Sequence, residues 1–316
     1  MPYAVRPPNL GFVSSPAALS APPLPSGWRA WVAGSRPRTL PAAVVPVAIG
    51  TALAQVEHGA VLWRALLALV VSMALQVAVN FANDYSDGIR GTDNVRVGPL
   101  RLVGSGVFSP KKVKLAAFVA LAVAALAGLV LASVTSWWLL GVGAAAMVSA
   151  WFYTGGSKPY GYAGFGEVFV FVFFGVVAVV GTVYVQTETF PATAWIAAIP
   201  VGLMAMALLV VNNLRDIPGD TLANKNTLAV RLGDPATRKL YLACVGLGVA
   251  GCIAIALAAH RPLALAGLAT FAVLGRPVKA ITSGAKGRDL IAVLGGTGKA
   301  QMAFGLLTTV GLLVHL

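Results

Sequence analysis

At 316 residues, 58% hydrophobic and only 10% charged, with a mean hydropathy of +0.83, the chain is far too apolar for a soluble domain and belongs in a bilayer. Its formal charge of +13 does not indicate nucleic acid, because the cations sit in loops between hydrophobic runs rather than on a soluble basic surface.

Residues 1–30 are rich in Pro, Ser and Ala, with no basic segment leading into an apolar run, and read as a disordered tail. From residue 31 onward the chain reads as a single transmembrane domain. Apolar runs at 40–56, 62–83, 115–133, 136–153, 165–184, 192–213, 240–259, 262–281 and 300–316 reach or approach the length of about 20 residues that crosses a hydrocarbon core as a helix. The expected architecture is an all-α polytopic membrane bundle of about nine transmembrane helices. The 262–281 run is the weakest, since Arg276, Pro277 and Lys279 follow its apolar part directly, and 289–297 reads as interfacial. Cys244 and Cys252, eight apart in one apolar run, indicate neither a disulfide framework nor a metal site. The glycines at 295, 296 and 298 suggest a loop or close helix packing.

Loop charge sets the orientation. With a cytoplasmic N-terminus and an outside C-terminus, every Lys and Arg except Arg64 and Arg261 falls on the cytoplasmic side, as the positive-inside rule requires. The acidic residues gather there too, except Glu57 and Glu188, whereas all three histidines fall outside. Ionisable groups converging from several loops on one membrane face mark a functional chamber, and histidine is not its chemistry.

Two acidic constellations dominate that face. The first closes the second helix and runs Asn80-Phe-Ala-Asn83-Asp84-Tyr85-Ser-Asp87, followed by Arg90, Gly91 and Asp93. At 100° per residue, Asn80, Asn83, Asp84 and Asp87 fall on one helical face. Oxygen donors without Cys or His suit Mg²⁺, which takes one or two carboxylates together with waters and phosphate oxygens. The second closes the sixth helix with Asn212, Asn213, Arg215, Asp216 and Asp220, then Lys225, and Pro218 there implies a kink or a helix end. Both lie on the same membrane face. Asp84, Asp87, Asp93, Asp216 and Asp220 crowded together would repel one another unless cations intervened, and two Mg²⁺ bridging a diphosphate would resolve this.

The loops add donors for the outer diphosphate oxygens: Arg36, Arg38, Arg101, Lys158, Arg215 and Lys225. The loop from Tyr153 to Tyr162 sets aromatic faces beside Lys158, its only cation, an arrangement suited to an allylic carbocation and its leaving group. An interfacial aromatic belt is the plainer reading of the same loop. Glu167, a lone acid near the start of the fifth helix, either pairs with Lys158 or a loop arginine or receives a polar group of an acceptor.

With these residues in hand, the chain resembles the UbiA-type superfamily of intramembrane prenyltransferases over nearly everything after residue 35. Its branch acting on 1,4-dihydroxy-2-naphthoate in menaquinone biosynthesis is matched by Ser35-Arg-Pro-Arg-Thr-Leu-Pro41, Asn83-Asp-Tyr-x-Asp87-x3-Gly91-x-Asp93, Gly98-Pro-Leu-Arg101 and Asn212-Asn-x-Arg-Asp216-x3-Asp220 with Lys225-x-Thr227. The 4-hydroxybenzoate branch usually has its third Asp four residues after the second, where this chain has Gly91. The resemblance implies Mg²⁺ on Asp84, Asp87, Asp216 and Asp220, with Asn80 and Asn212 nearby and Arg36, Lys158 and Arg215 on the diphosphate. It implies a polyprenyl diphosphate and a small aromatic acid as substrates, taken in a cell membrane with the site facing the cytoplasm, and leaves a homodimer open.

Homogentisate, 4-hydroxybenzoate or a glycerol lipid are alternative acceptors. CDP-alcohol phosphotransfer shares only the opening Asp84-x2-Asp87-Gly88 and lacks the rest of its motif. A cation transporter would place its acids near the bilayer midplane rather than at helix ends among basic loops.

Overall fold

The computed structural model describes residues 24–91 and 100–314, and every regular element among them is helical. Asp93 and residues 1–23 lie outside the described residues. The helices run α1 Gly27–Gly34, α2 Pro41–Val56, α3 Leu62–Ile89, α4 Pro110–Val134 and α5 Leu139–Phe152. They continue as α6 Gly166–Thr187, α7 Ala192–Leu222, α8 Leu228–Ala258, α9 Pro262–Thr282 and α10 Asp289–Leu313.

Each of the nine apolar runs reappears as a helix, α2 to α10, but nine independent spans do not follow. Seven described helices are long and apolar enough to cross a membrane, and α1 with α2 joins them only as a pair bent by 57°. At 14 residues α5 is too short to cross alone. The bend has a visible cause. Arg36 adopts left-handed backbone with φ 54°, which is costly for a residue with a Cβ, and Pro37 follows at the start of a 3₁₀ turn. Side chains of α3 hold the break: Asn80 Nδ2 donates to Ser35 O at 2.8 Å and to Thr39 Oγ1 at 3.2 Å, and Gln76 Nε2 donates to Thr39 Oγ1 at 3.0 Å.

Several boundaries differ from the sequence reading. Residues 27–30, expected in the tail, open α1, and Ala30 is buried. Segment 289–297, expected to be interfacial, forms the first turns of α10, with Leu290, Val293, Leu294 and Thr297 buried. Pro218 neither ends nor splits α7, which runs on to Leu222. Helix α8 starts at Leu228 rather than near residue 240, with a kink where Gly233 takes φ 74°. Gly296 and Gly298 serve close packing: a Cβ at Gly296 would lie 2.6 Å from Pro277 Cγ, and one at Gly298 2.7 Å from Arg38 O.

The larger core joins α2, α6, α7, α8, α9 and α10, and a smaller one gathers Ala30, Phe81, Ala82, Leu102, Val113 and Ala117. Within α6, residues Phe171–Val177 wind as a π-helix, where Gly175 crosses Gly202 of α7 so closely that an added Cβ would stand 2.7 Å from Gly202 Cα. At the far end of α3 from its acidic residues, Arg64 Nη1 meets Glu188 at 3.0 Å, uniting two of the few ionisable residues assigned to the outer side.

Gly175→Ala should therefore lower stability by about 1–3 kcal/mol through overpacking. Gly246→Ala, with nothing within 4 Å of its added Cβ, should be neutral or raise it by up to about 1 kcal/mol. Thermal unfolding of the detergent-solubilised protein reads both; equal melting points for the two variants would contradict the packing.

Candidate active site

The last turns of α3 and α7 open on one cavity of about 1060 Å³, whose wall includes Asn80, Asn83 and Asp87 from the first and Asn212, Asn213, Arg215, Asp216 and Asp220 from the second. The two acidic helix ends thus meet. Helix α3 lines the cavity as far back as Ala68, nineteen residues before Asp87, or about 28 Å at 1.5 Å per residue. Along that length the wall is mostly apolar, with Leu75, Val142, Ala146, Phe173 and Val177.

Continuous helix through Pro218 keeps Asn212, Asp216 and Asp220 one turn apart on one face of α7. Arg215 is buried beside them and grips Asp216 with both ends of its guanidinium, Nε to Oδ1 at 2.7 Å and Nη2 to Oδ2 at 2.8 Å. Its Nη2 also donates to Asn212 Oδ1 at 2.8 Å. A two-pronged contact of this kind fixes the carboxylate's plane as well as its position.

Asp87 is held by three segments at once. Lys225 Nζ donates to Oδ1 at 2.8 Å from the connection after α7. Tyr162 Oη donates to the same oxygen at 2.8 Å from the connection after α5, and Arg101 Nη2 reaches Oδ2 at 3.4 Å from the loop before α4. The Lys225 ammonium lies 4.6 Å from the Tyr162 ring centroid and the Arg90 guanidinium 5.4 Å from it, so the phenol ring sits between two cations. Burial alone would lower the pKa of Lys225, but Asp87, Tyr162 and Asp220 together outweigh it and the net shift is upward. Burial first, then Asp87, raises that of Tyr162. The protein's own cations thus already offset part of the repulsion expected between carboxylates.

The remaining expected residues divide. Arg36 and Tyr153 line the cavity, and one buried guanidinium nitrogen of Arg36, Nη2, has no hydrogen-bond partner. Lys158 is exposed and is not brought to the cavity. Glu167 is 3% exposed and lies behind the wall; its partner is neither Lys158 nor an arginine but Asn213, whose Nδ2 donates to Oε1 at 3.0 Å. Asp84 is fully buried and does not line the cavity. Tyr162 was not singled out from its loop, and Thr154, whose hydroxyl donates to Asn83 Oδ1 at 2.7 Å, carried no sequence signal at all.

Among the described residues no group of three or more His, Cys, Asp or Glu forms a ready-made metal cage. The donor set still fits Mg²⁺, because that ion is commonly held by one or two carboxylates and completes its shell with water and phosphate oxygens. Asp87 on one wall, and Asp216 with Asp220 on the other, offer that number each.

Comparison with known proteins adds four likenesses. The UbiA prenyltransferase family model matches residues 43–309. A relative described as 1,4-dihydroxy-2-naphthoate octaprenyltransferase of Mycobacterium tuberculosis is 53% identical over 276 residues, covering 87% of this chain and 94% of its own. Another of that description from Escherichia coli is 40% identical over 234 residues, covering 72% and 76%. Among solved structures, a UbiA homolog from Archaeoglobus fulgidus bound to DMAPP and Mg²⁺ superposes with a TM-score of 0.57 over 89% of this chain and 99% of that one, at 15% identity; this shows a shared fold.

If Asp87 and Lys225 couple the two helix ends, Lys225→Met should destabilise the protein by about 1–3 kcal/mol, because Asp87 keeps Tyr162 and Arg101 but loses its nearest cation. Adding Asp87→Asn should recover part of that loss. A coupling energy near zero in the double-mutant cycle, measured by thermal unfolding, would dissolve the link.

Proposed function

The chain belongs to the UbiA prenyltransferase family, and on that footing we propose that it transfers a polyprenyl group from its diphosphate to 1,4-dihydroxy-2-naphthoate, releasing pyrophosphate and CO₂ and giving a demethylmenaquinol, the hydroquinone that a separate two-electron oxidation converts to demethylmenaquinone. The observation that carries the reading is the meeting of two acidic helix ends at the mouth of a long, mostly apolar cavity. A prenyl diphosphate has the same division, a highly charged head on a hydrocarbon tail. The relatives' description supplies the acceptor.

In this reading the tail lies along α3, α5 and α6, and the head sits between Asp87 and the pair Asp216 and Asp220, the residues that would hold Mg²⁺. When bound there, Mg²⁺ would supply charge neutralisation of the diphosphate leaving group. Lys225, Arg101 and Arg215 orient those carboxylates, and Arg36 offers its unpaired guanidinium nitrogen to an anionic substrate. The allylic C–O bond breaks with its electron pair leaving on pyrophosphate, and the ring of Tyr153, on the cavity wall, faces the cationic carbon. The acceptor's electron-rich, carboxylate-bearing ring carbon forms the new C–C bond. The bond from that carbon to the carboxylate then breaks, CO₂ leaves, and the bond's electron pair returns to the ring and restores its aromaticity. The apolar wall excludes water, which would otherwise quench the cation.

The chain is a multi-pass membrane protein. A mouth facing the cytoplasm is supported by the positive-inside rule, since that orientation leaves only Arg64 and Arg261 of the sequence's Lys and Arg for the other side. Cation transport fits less well, because the acids sit at helix ends with protein cations already bound to them.

Purified protein given a long-chain prenyl diphosphate, the naphthoate and Mg²⁺ should release pyrophosphate and CO₂ in equal amounts with a lipid product, and chelation should abolish all three. Asp87→Asn and Asp216→Asn should each reduce kcat on the order of 10²-fold or more. Near-normal turnover in either variant would remove those carboxylates from the mechanism.

A further inference from the structure

Asp84 and Asp87 stand three residues apart near the end of α3, about 60° apart around the helix. Their surroundings differ completely. Asp87 opens on the cavity, while Asp84 is 0% exposed and faces the loop that precedes α4. There its two oxygens accept consecutive main-chain N–H groups, Oδ2 from Leu102 at 2.7 Å and Oδ1 from Val103 at 3.0 Å. Successive N–H groups turned toward one anion form a compact binding concavity, and an ionised acceptor makes each bond roughly twice as strong as a neutral one.

The loop is seated as well as bonded. Leu102 is 0% exposed, and its side chain fills the space over Gly34, where an added Cβ would come within 2.5 Å of Leu102 Cδ1. Val103 occupies the space over Gly88, where a Cβ would collide with it. Bonds from Gly106 N to Val103 O at 2.9 Å and from Phe108 N to Leu102 O at 3.0 Å close the loop on itself. Arg101 immediately precedes the anchored pair, and its guanidinium reaches Asp87 Oδ2 and lines the cavity.

We propose that Asp84 is a positioning residue rather than a metal ligand: it fastens the Leu102–Val103 backbone and thereby aims Arg101 at Asp87 and at the diphosphate. The inference rests on the prenyl-transfer reading for the ligand that Arg101 meets, and on geometry alone for the anchoring. One carboxylate of the first acidic motif then holds the loop, and its neighbour one turn on faces the substrate.

Asp84→Asn is the test, because the amide keeps one acceptor but opposes the second N–H with a donor. Tryptic cleavage after Arg101 should accelerate by about tenfold or more as the loop opens. Affinity for inorganic pyrophosphate with Mg²⁺, measured by calorimetry on detergent-solubilised protein, should fall by about 10- to 100-fold. The Mg²⁺ concentration giving half-maximal turnover should stay within about twofold of wild type, whereas Asp87→Asn should raise it well beyond that. Arg101→Ala should lose as much pyrophosphate affinity, and the double variant no more.

An Mg²⁺ requirement shifted as far as in Asp87→Asn would overturn the proposal, as would unchanged tryptic cleavage at Arg101. Should Asp84→Asn fail to accumulate, Gly88→Ala displaces the same loop without touching Asp84 and must reproduce the pyrophosphate loss; normal binding there would overturn it too. A wild-type protein that transfers no prenyl group would refute the functional reading, and the tryptic comparison would still decide the anchoring.

Discussion

The contact between Lys225 Nζ and Asp87 Oδ1, 2.8 Å long and joining residues 138 apart in sequence, is the constraint from which the geometry of the mouth follows. A carboxylate taken from water into a nearly closed site is costly unless charge and hydrogen bonds replace its hydration. Asp87 is 3% exposed, so the chain must bring donors to it, and it brings them from three connections. The segment after α7 contributes the ammonium, the one after α5 a phenol, and the one before α4 a guanidinium. Pinning those connections to one side chain pulls the ends of α3 and α7 together and leaves Asp216 and Asp220 facing Asp87 across the cavity.

Helix α3 extends this arrangement through its neighbours. Arg90, three residues beyond Asp87, donates to the carbonyls of Thr154 and Gly156, and Thr154 in turn donates to Asn83. Earlier on the same helix, Gln76 and Asn80 secure the bend between α1 and α2. A single helix thus supplies polar attachments to the segments around the mouth, while its preceding turns line the hydrocarbon part of the cavity. Charged chemistry and apolar binding are set at fixed separation by one rigid rod.

Much of this was legible in the sequence because membrane burial imposes strong patterns. Each apolar run became a helix, the acidic motifs met, and Asn212, Asp216 and Asp220 share a face because helical period alone decides that. Span counting was less legible: α2 and α5 are short, and α1 joins α2 across a bend set by Arg36 and Pro37, where hydropathy has nothing to say. Side-chain direction was the other gap. Period places Asp84 and Asp87 on nearly the same face, but the loop packed over Gly34 and Gly88 takes one of them, and the sequence does not tell which face a distant loop will cover. Lys158 promised a phosphate donor as its loop's lone cation, yet Tyr162 and Arg90 are the residues that tie this loop to α3. Glu167 found an amide partner because Asn213 lies on the helix packed against it, a neighbour that only the fold selects.

The loosely wound stretch Phe171–Val177 gives α6 an unusual tolerance to changes in length. Hydrogen bonds closing over five residues instead of four accommodate surplus backbone within one turn. Losing one residue there would let the stretch rewind as ordinary α-helix with both flanks still in phase, so Glu167 would keep facing Asn213. The same deletion elsewhere in a spanning helix would rotate everything beyond it by about 100°. Divergence in the size of the hydrocarbon compartment can therefore enter through this segment without disturbing the charged mouth.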